Sequence, residues 1–144
     1  METSIMPGGV YRCSAGGIDR LVLVLGVNRL RSIAQVTLVH PYMEWATDAD
    51  VIIDTPAGGY PLVIQTDLRS IVWLKDLGSR CAAAIEVPSE VVNACLDPLA
   101  VIPAGMATGS TLRGALDARW AFKEQERQDL STLSEDCIVA ALAE

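Results

Sequence analysis

The chain has 144 residues, of which about half are hydrophobic and a fifth are charged, and its net charge at pH 7 is −7. That length suits one domain with a substantial core, and the composition excludes a disordered protein. No apolar run approaches the ~18 residues that a membrane helix needs, so no membrane partner is expected. The N-terminal letters METSIMPGG contain no cationic region followed by an apolar one, so we expect no secretory signal and a cytoplasmic location.

Charge is unevenly distributed along the chain. Residues 1–80 carry seven Lys or Arg and eight Asp or Glu, whereas residues 81–144 carry four and ten. An acidic protein is poorly suited to broad binding of nucleic acid, which depends largely on neutralising phosphates, but a local basic groove is compatible with this balance. The four cysteines form no CxxC pair and the chain has one histidine, so neither a metal site nor a cofactor is expected.

Short apolar segments separated by Gly and Pro fill the first part of the chain. The letters GGVYRC from Gly8 predict a first strand, and the run Leu21–Leu25 predicts a strand buried on both faces. Further strands are predicted at 35–40, 50–54, 60–66 and 70–73, with an ambiguous last one at 79–86. Such short strands at close spacing indicate a small, strongly bent sheet or barrel.

Helices are predicted in the second half of the chain. One begins at Pro88, with Pro and Glu in its first turn, and ends at Leu96. A second is predicted over 110–129, and a separate short helix follows Thr132–Glu135, which has the pattern of a capping box. The predicted fold class is therefore α+β, a small bent mainly antiparallel sheet or SH3-like barrel with C-terminal helices.

Four segments follow one another along the chain: GGVY from Gly8, GGIDRLVLVLGVN from Gly16, QVTLVHPY from Gln35 and YPLVIQTDLRSIVWLKDLG from Tyr60. Their order resembles that of the MazF/PemK toxin family, whose superfamily includes the CcdB toxins. The resemblance implies a homodimer whose shared groove binds single-stranded RNA, and an antitoxin as a further partner.

The resemblance also implies which residues carry the chemistry. The catalytic arginine of the ribonuclease members matches Arg20, and arginine suits a developing phosphate charge because its guanidinium stays ionised. The structural alternative is an arginine paired with Asp19 or Asp67. Met43 occupies the position of the family's catalytic threonine and cannot donate a hydrogen bond to phosphate. His40 is a nearby candidate acid or base, with a structural role as its alternative.

The resemblance implies a binding groove lined by the first strand and by the segment that matches the family's EQ-x-R-T motif. The groove residues expected from it are Tyr11, Arg12, Thr66, Asp67, Arg69 and Ser70. The loop that grips RNA in ribonuclease members is shortened here to Ser14–Gly17. An RNA-gripping role is therefore expected to be reduced.

Three regions are expected: an N-terminal preface over 1–7 that is disordered, a MazF/PemK-like barrel domain over 8–97, and an acidic helical extension over 98–144 packed on it. The extension is expected either to cover the groove, as an antitoxin segment does, or to form an oligomer contact. Trp120 and Phe122 are expected to be buried in either case.

Two function classes compete for this sequence. Met43, the single histidine and the acidic charge favour a toxin-like growth-inhibitory protein that binds a cellular protein target without efficient RNase chemistry. Arg20 favours the alternative, a metal-independent, sequence-specific endoribonuclease (an mRNA interferase) of a toxin–antitoxin system. A dimeric scaffold without either activity is the third interpretation, since fold alone does not choose among them.

Overall fold

The computed structural model describes residues 5–42, 45–46, 50–54, 61–80, 87, 89–96, 107–108 and 116–143. Its strands are β1 (Val10–Ala15), β2 (Ile18–Asn28), β3 (Ile33–His40), β4 (Val51–Asp54), β5 (Pro61–Trp73), β6 (Leu77–Arg80) and β7 (Ala107–Thr108). A 3₁₀ turn, Leu74–Asp76, joins β5 to β6, and the helices are α1 (Ser89–Leu96) and α2 (Leu116–Ala143). The predicted α+β class is confirmed.

The strands form one sheet in the order β6-β1-β2-β3-β5-β4-β7, and its strand pairs are antiparallel. The first three strands are neighbours because short turns join them. Gly16 and Gly17 form the turn between β1 and β2 with φ of +58° and +81°, a left-handed conformation that glycine adopts without strain. The predicted antiparallel sheet with C-terminal helices is thus confirmed.

Both faces of the sheet are covered by helices. Successive residues of β2 alternate between two apolar clusters, so that Val22 joins the cluster containing Leu133 of α2 and Leu23 joins that containing Val91 of α1. Because neighbouring side chains of a strand point to opposite faces, α1 and α2 lie on opposite sides of the sheet. β2 is accordingly buried on both faces, as its apolar run predicts.

β5 corrects the prediction of two separate strands at 60–66 and 70–73. It is one strand whose register with β3 shifts just after Thr37, so that part of β5 bulges. The Thr37 hydroxyl donates to the carbonyl oxygen of Gln65 at 2.6 Å and lies 3.2 Å from that of Leu68. Since buried carbonyl groups need partners, this hydroxyl stabilises the bulge, and the strand continues past it.

α2 corrects the prediction of two helices separated by a capping box. Thr132 is an interior residue, and its hydroxyl donates to the carbonyl oxygen of Gln128 at 3.3 Å, one turn earlier. Leu133 and Cys137 are both buried and stand four residues apart, so one face of the helix stays against the sheet through this segment. Burial of that face keeps the helix continuous.

The division into regions 8–97 and 98–144 stays a prediction. The second region contributes β7, which pairs with β4 of the first region, as well as α2. Residues 1–4 of the predicted preface, the segment 81–86 and the side chain of Trp120 lie outside the described residues. In the described part of the chain, neither helix combines the length and the apolar character that crossing a membrane requires.

Candidate functional site at Arg20

A cavity of about 260 Å³ lies between β2, the end of β3 and α2. Val22 is opposite Leu38 in the sheet, so Arg20 and His40, two residues further along each strand, reach the same place on the same face. The residues that line this Arg20 cavity are Asp19, Arg20, Leu21, Val39, His40, Pro41, Tyr42, Phe122 and Glu126. The two candidate catalytic residues are thus brought together.

Arg20 is bound by two carboxylates of α2. Its Nε lies 3.1 Å from Oε2 of Glu126, and its Nη2 pairs with Oδ2 of Asp129. The arginine side chain is 40% exposed, whereas each carboxylate side chain is only 5% exposed. Asp67, one of the partners considered from the sequence, binds Lys123 instead. An anion from outside the chain must therefore compete with Glu126 and Asp129 for the guanidinium.

Side-chain amides hold both carboxylates in place. Gln65, in the bulge of β5, donates from Nε2 to Oε1 of Glu126 at 3.2 Å, and Gln125 donates to Oδ1 of Asp129 at 3.0 Å. Burial raises the pKa of the Glu126 carboxyl, and the opposing attraction of Arg20 is the smaller effect. The ion pair of Arg20 with Glu126 thus forms in a partly desolvated environment.

Lys123 anchors α2 one turn before Glu126. Its side chain is 1% exposed, and its Nζ lies 2.5 Å from Oδ1 of Asp50 and 2.7 Å from Oδ1 of Asp67. Burial of an ammonium costs several kcal/mol, which two close carboxylates offset. Asp50 directly precedes β4 and Asp67 belongs to the bulge of β5. Lys123 thus links α2 to the start of β4 and to β5.

His40 is buried against aromatic rings. It is 4% exposed, its ring meets that of Phe122 edge-on at 5.0 Å between centroids, and it stacks on Tyr42 at 5.8 Å. Its Nδ1 accepts a hydrogen bond from the backbone N–H of Tyr42 at 3.1 Å, so the neutral ring carries its proton on Nε2. Within the described ranges, that Nε2 has no hydrogen-bond partner.

The titration of His40 limits what the cavity does chemically. Burial, aided by the charge of Lys123, lowers the pKa of His40 from 6.5 to about 4. The imidazole is therefore neutral at pH 7. Proton transfer is most efficient when the pKa of the group lies near the working pH, and the pKa of His40 lies well below it. With α2 in place, the site is better suited to bind an anion through Arg20 than to move protons.

The other predicted groove residues lie elsewhere. Asp67, Arg69 and Ser70 line a separate groove of about 640 Å³ between β5 and α2. Thr66 is half-buried in the bulge of β5. For Asp67, whose carboxylate also binds Lys123, a role in ligand binding stays a prediction, as it does for the other three.

Of the two predicted groove residues in β1, Tyr11 is buried and Arg12 is exposed. Tyr11 is buried in the apolar cluster that includes Leu133, so its ring packs in the core. Arg12 is exposed and pairs with the carboxylate of Asp19. Met43, at the position where the sequence resemblance implies a threonine, lies outside the described residues.

Sequence reasoning missed Glu126 and Asp129, which bind Arg20, and Lys123, which anchors the helix that carries them. Glu126 and Asp129 follow Arg20 by 106 and 109 residues, and no local pattern links them to it. A usable signal is the spacing of Lys123, Glu126 and Asp129, since charges three residues apart share one face of a helix. Among the described residues, no group of three or more His, Cys, Asp or Glu is arranged to hold a metal ion.

No protein-family model matches the sequence, and no curated protein matches it significantly. Among solved structures, the chain is similar to an endoribonuclease in complex with its cognate antitoxin from a mycobacterial species. The two sequences are 18% identical, the match covers 65% of this chain and 88% of that chain, and the TM-score is 0.48. This likeness assigns neither a family nor an activity to this chain.

Proposed function

We propose that the chain is a toxin-like growth-inhibitory protein that binds a cellular protein, with the Arg20 cavity receiving an acidic segment of that partner. The observation that carries the proposal is the seating of Glu126 and Asp129 on the guanidinium. A helix of this chain already presents two carboxylates to Arg20, and an acidic helix of another protein offers the same groups in the same geometry.

The state of His40 favours binding over catalysis. General acid–base chemistry works best when the pKa of the group lies near the working pH, whereas the pKa of His40 is about 4. The net charge of −7 also opposes attraction of RNA over most of the surface. These two properties support a protein partner, which includes an antitoxin. The homodimer and the cytoplasmic location stay predictions.

A metal-independent endoribonuclease is the second candidate. It is favoured by the presence of Arg20 and His40 in one cavity, because a guanidinium binds a phosphate and the unpartnered Nε2 of His40 is a hydrogen-bond donor. In this alternative a single-stranded RNA is the substrate. Arg20 stabilises the charge that develops on the scissile phosphate.

Expression in a bacterial host tests both candidates, with growth and bulk mRNA integrity followed together. The proposal predicts growth arrest with intact mRNA for the wild-type chain, and loss of the arrest in Arg20→Ala. Arg29→Ala, which removes an exposed arginine at the β2–β3 turn, is the matched control and should arrest growth like the wild type. Cleaved mRNA that becomes intact in Arg20→Ala would establish the ribonuclease instead, and arrest unchanged in Arg20→Ala would overturn both.

A further inference from the structure

The buried face of α2 changes character along the helix. Its first half buries charged residues and its second half mainly apolar ones. The charged residues are Lys123, Glu126 and Asp129, and the apolar ones are Leu130, Leu133 and Cys137. The change falls between Asp129 and Leu130, and the charged half is the one that lies over the Arg20 cavity.

The two halves are held to the sheet by different forces. Burial of apolar side chains stabilises the second half directly. In the first half, the attraction within each ion pair is largely cancelled by the cost of removing both charges from water, so the net contribution is small. Screening by salt weakens such close, buried pairs only slightly, but another anion is able to replace either carboxylate on Arg20. The first half is therefore the more easily displaced.

The first half of α2 also contacts the groups of the cavity that a ligand would bind, Arg20 and His40. Glu126 and Asp129 bind Nε and Nη2 of Arg20, and the ring of Phe122 lies against that of His40. A ligand cannot bind Nε and Nη2 of Arg20 with both carboxylates in place, although the side chain as a whole is 40% exposed. The chain itself thus occupies two of the three guanidinium nitrogens that a ligand would use.

We infer that the first half of α2, residues 116–129, is an autoinhibitory cover of the Arg20 cavity. It is held by the ion pairs of Arg20 with Glu126 and Asp129, which we call the latch, and by those of Lys123 with Asp50 and Asp67, which also separate when the cover is displaced. The inference rests on the proposed function only in taking this cavity as the binding site. An acidic segment of the partner replaces the two carboxylates of the latch and displaces the cover, while the second half of the helix remains on the sheet.

Chemical modification of arginine tests the cover without reference to any activity. The full chain is treated with phenylglyoxal, and the rate at Arg20 is measured by mass spectrometry. In the latch variant Glu126→Gln/Asp129→Asn, we expect Arg20 to react several-fold faster than in the wild type. The control Glu135→Gln/Asp136→Asn removes the same charge from exposed positions of the same helix and should leave the rate unchanged.

Arg29 serves as the internal reference because it is exposed and lies outside the cavity. Its modification rate should be equal in all three chains. A rate at Arg20 that does not differ between the latch variant and the control would overturn the inference. An unfolded variant would be recognised by loss of its cooperative urea transition, and the single variant Glu126→Gln then replaces it.

Hydrogen exchange of the latch variant separates local opening from loss of the whole helix. We expect faster exchange of backbone amides in residues 121–129 and unchanged protection in residues 130–140. Equal loss of protection in both halves would overturn the inference, because the helix would then move as one unit. Growth arrest that does not depend on Arg20, together with an opened cover, would refute the proposed function and leave the cover standing.

Discussion

The two halves of α2 lie on the same face of the sheet, yet one is fixed by charges and the other by apolar contacts. Lys123, Glu126 and Asp129 are buried as deeply as Leu130 and Leu133. Equal burial does not give equal stabilisation, because the charged half must first lose its hydration. The difference indicates that burial of the apolar half adds net stability, whereas the intact ion pairs of the charged half add little, and the two carboxylates on Arg20 are open to exchange. The experiments below separate these two contributions.

The largest effect is expected from Lys123→Met. It removes the ammonium shared by Asp50 and Asp67 and leaves a fully buried carboxylate without that cation. Breaking a buried pair by removing one partner costs about 3–5 kcal/mol in free energy of unfolding. Equilibrium urea unfolding measures the loss. The double variant Lys123→Met/Asp50→Asn should recover part of the lost free energy of unfolding. A loss below about 1 kcal/mol for Lys123→Met alone would contradict the deep burial of this ion pair.

Leu133→Ala tests the apolar half of the helix. Leu133 is buried between α2 and the sheet, so its truncation should lower the free energy of unfolding by about 3–4 kcal/mol. The same urea titration checks the value. If the variant lost stability and the Arg20 cavity also opened to phenylglyoxal, the two halves would not be separable.

The buried histidine makes stability depend on pH. The pKa of His40 is about 4 in the folded chain and 6.5 in the unfolded one, so the unfolded chain binds the extra proton between these values. The stabilisation is therefore complete above pH 6.5 and is lost as the pH falls toward 4. At about 1.4 kcal/mol per unit of pKa, the wild type should lose about 3 kcal/mol more than His40→Gln over this window. Parallel pH profiles of the two chains would argue against a buried neutral imidazole.

The smallest effect is expected at the outer face of α2. Val139 is 60% exposed, so Val139→Ala should change the free energy of unfolding by less than about 0.5 kcal/mol. It is the matched control for Leu133→Ala, since both truncate an apolar residue of the same half-helix. A loss as large as that of Leu133→Ala would mean that this face is covered by something else in solution.

Local patterns predicted much of the sheet. The apolar run at 21–25 identified β2, and the run ending at His40 identified β3, because a strand buried on both faces is a short continuous apolar segment in the sequence. The sequence predicted two strands where the structure has the single strand β5. The bulge within β5 is stabilised by Thr37, which is 28 residues away from Gln65. A hydrogen bond of that range has no signature in a single sequence.

The candidate site was predicted in part. Family resemblance pointed to Arg20, and His40 was a candidate because it is close in sequence to the expected threonine position. Their meeting in one cavity follows from the pairing of β2 with β3. The closure by Glu126 and Asp129 was not predicted residue by residue, because it depends on how α2 lies across the sheet. The expectation that the acidic extension covers a groove now stands as the proposal of an autoinhibitory cover.

The most direct test of that cover is the rate of phenylglyoxal modification of wild-type Arg20, relative to Arg29, as the salt concentration is raised. Screening has little effect on ion pairs this short and this buried, but at about 1 M salt the added anion competes with Glu126 and Asp129 for the guanidinium. The account predicts that the ratio of the Arg20 rate to the Arg29 rate rises with salt while the urea transition persists. A ratio that stays constant across the salt series would contradict it.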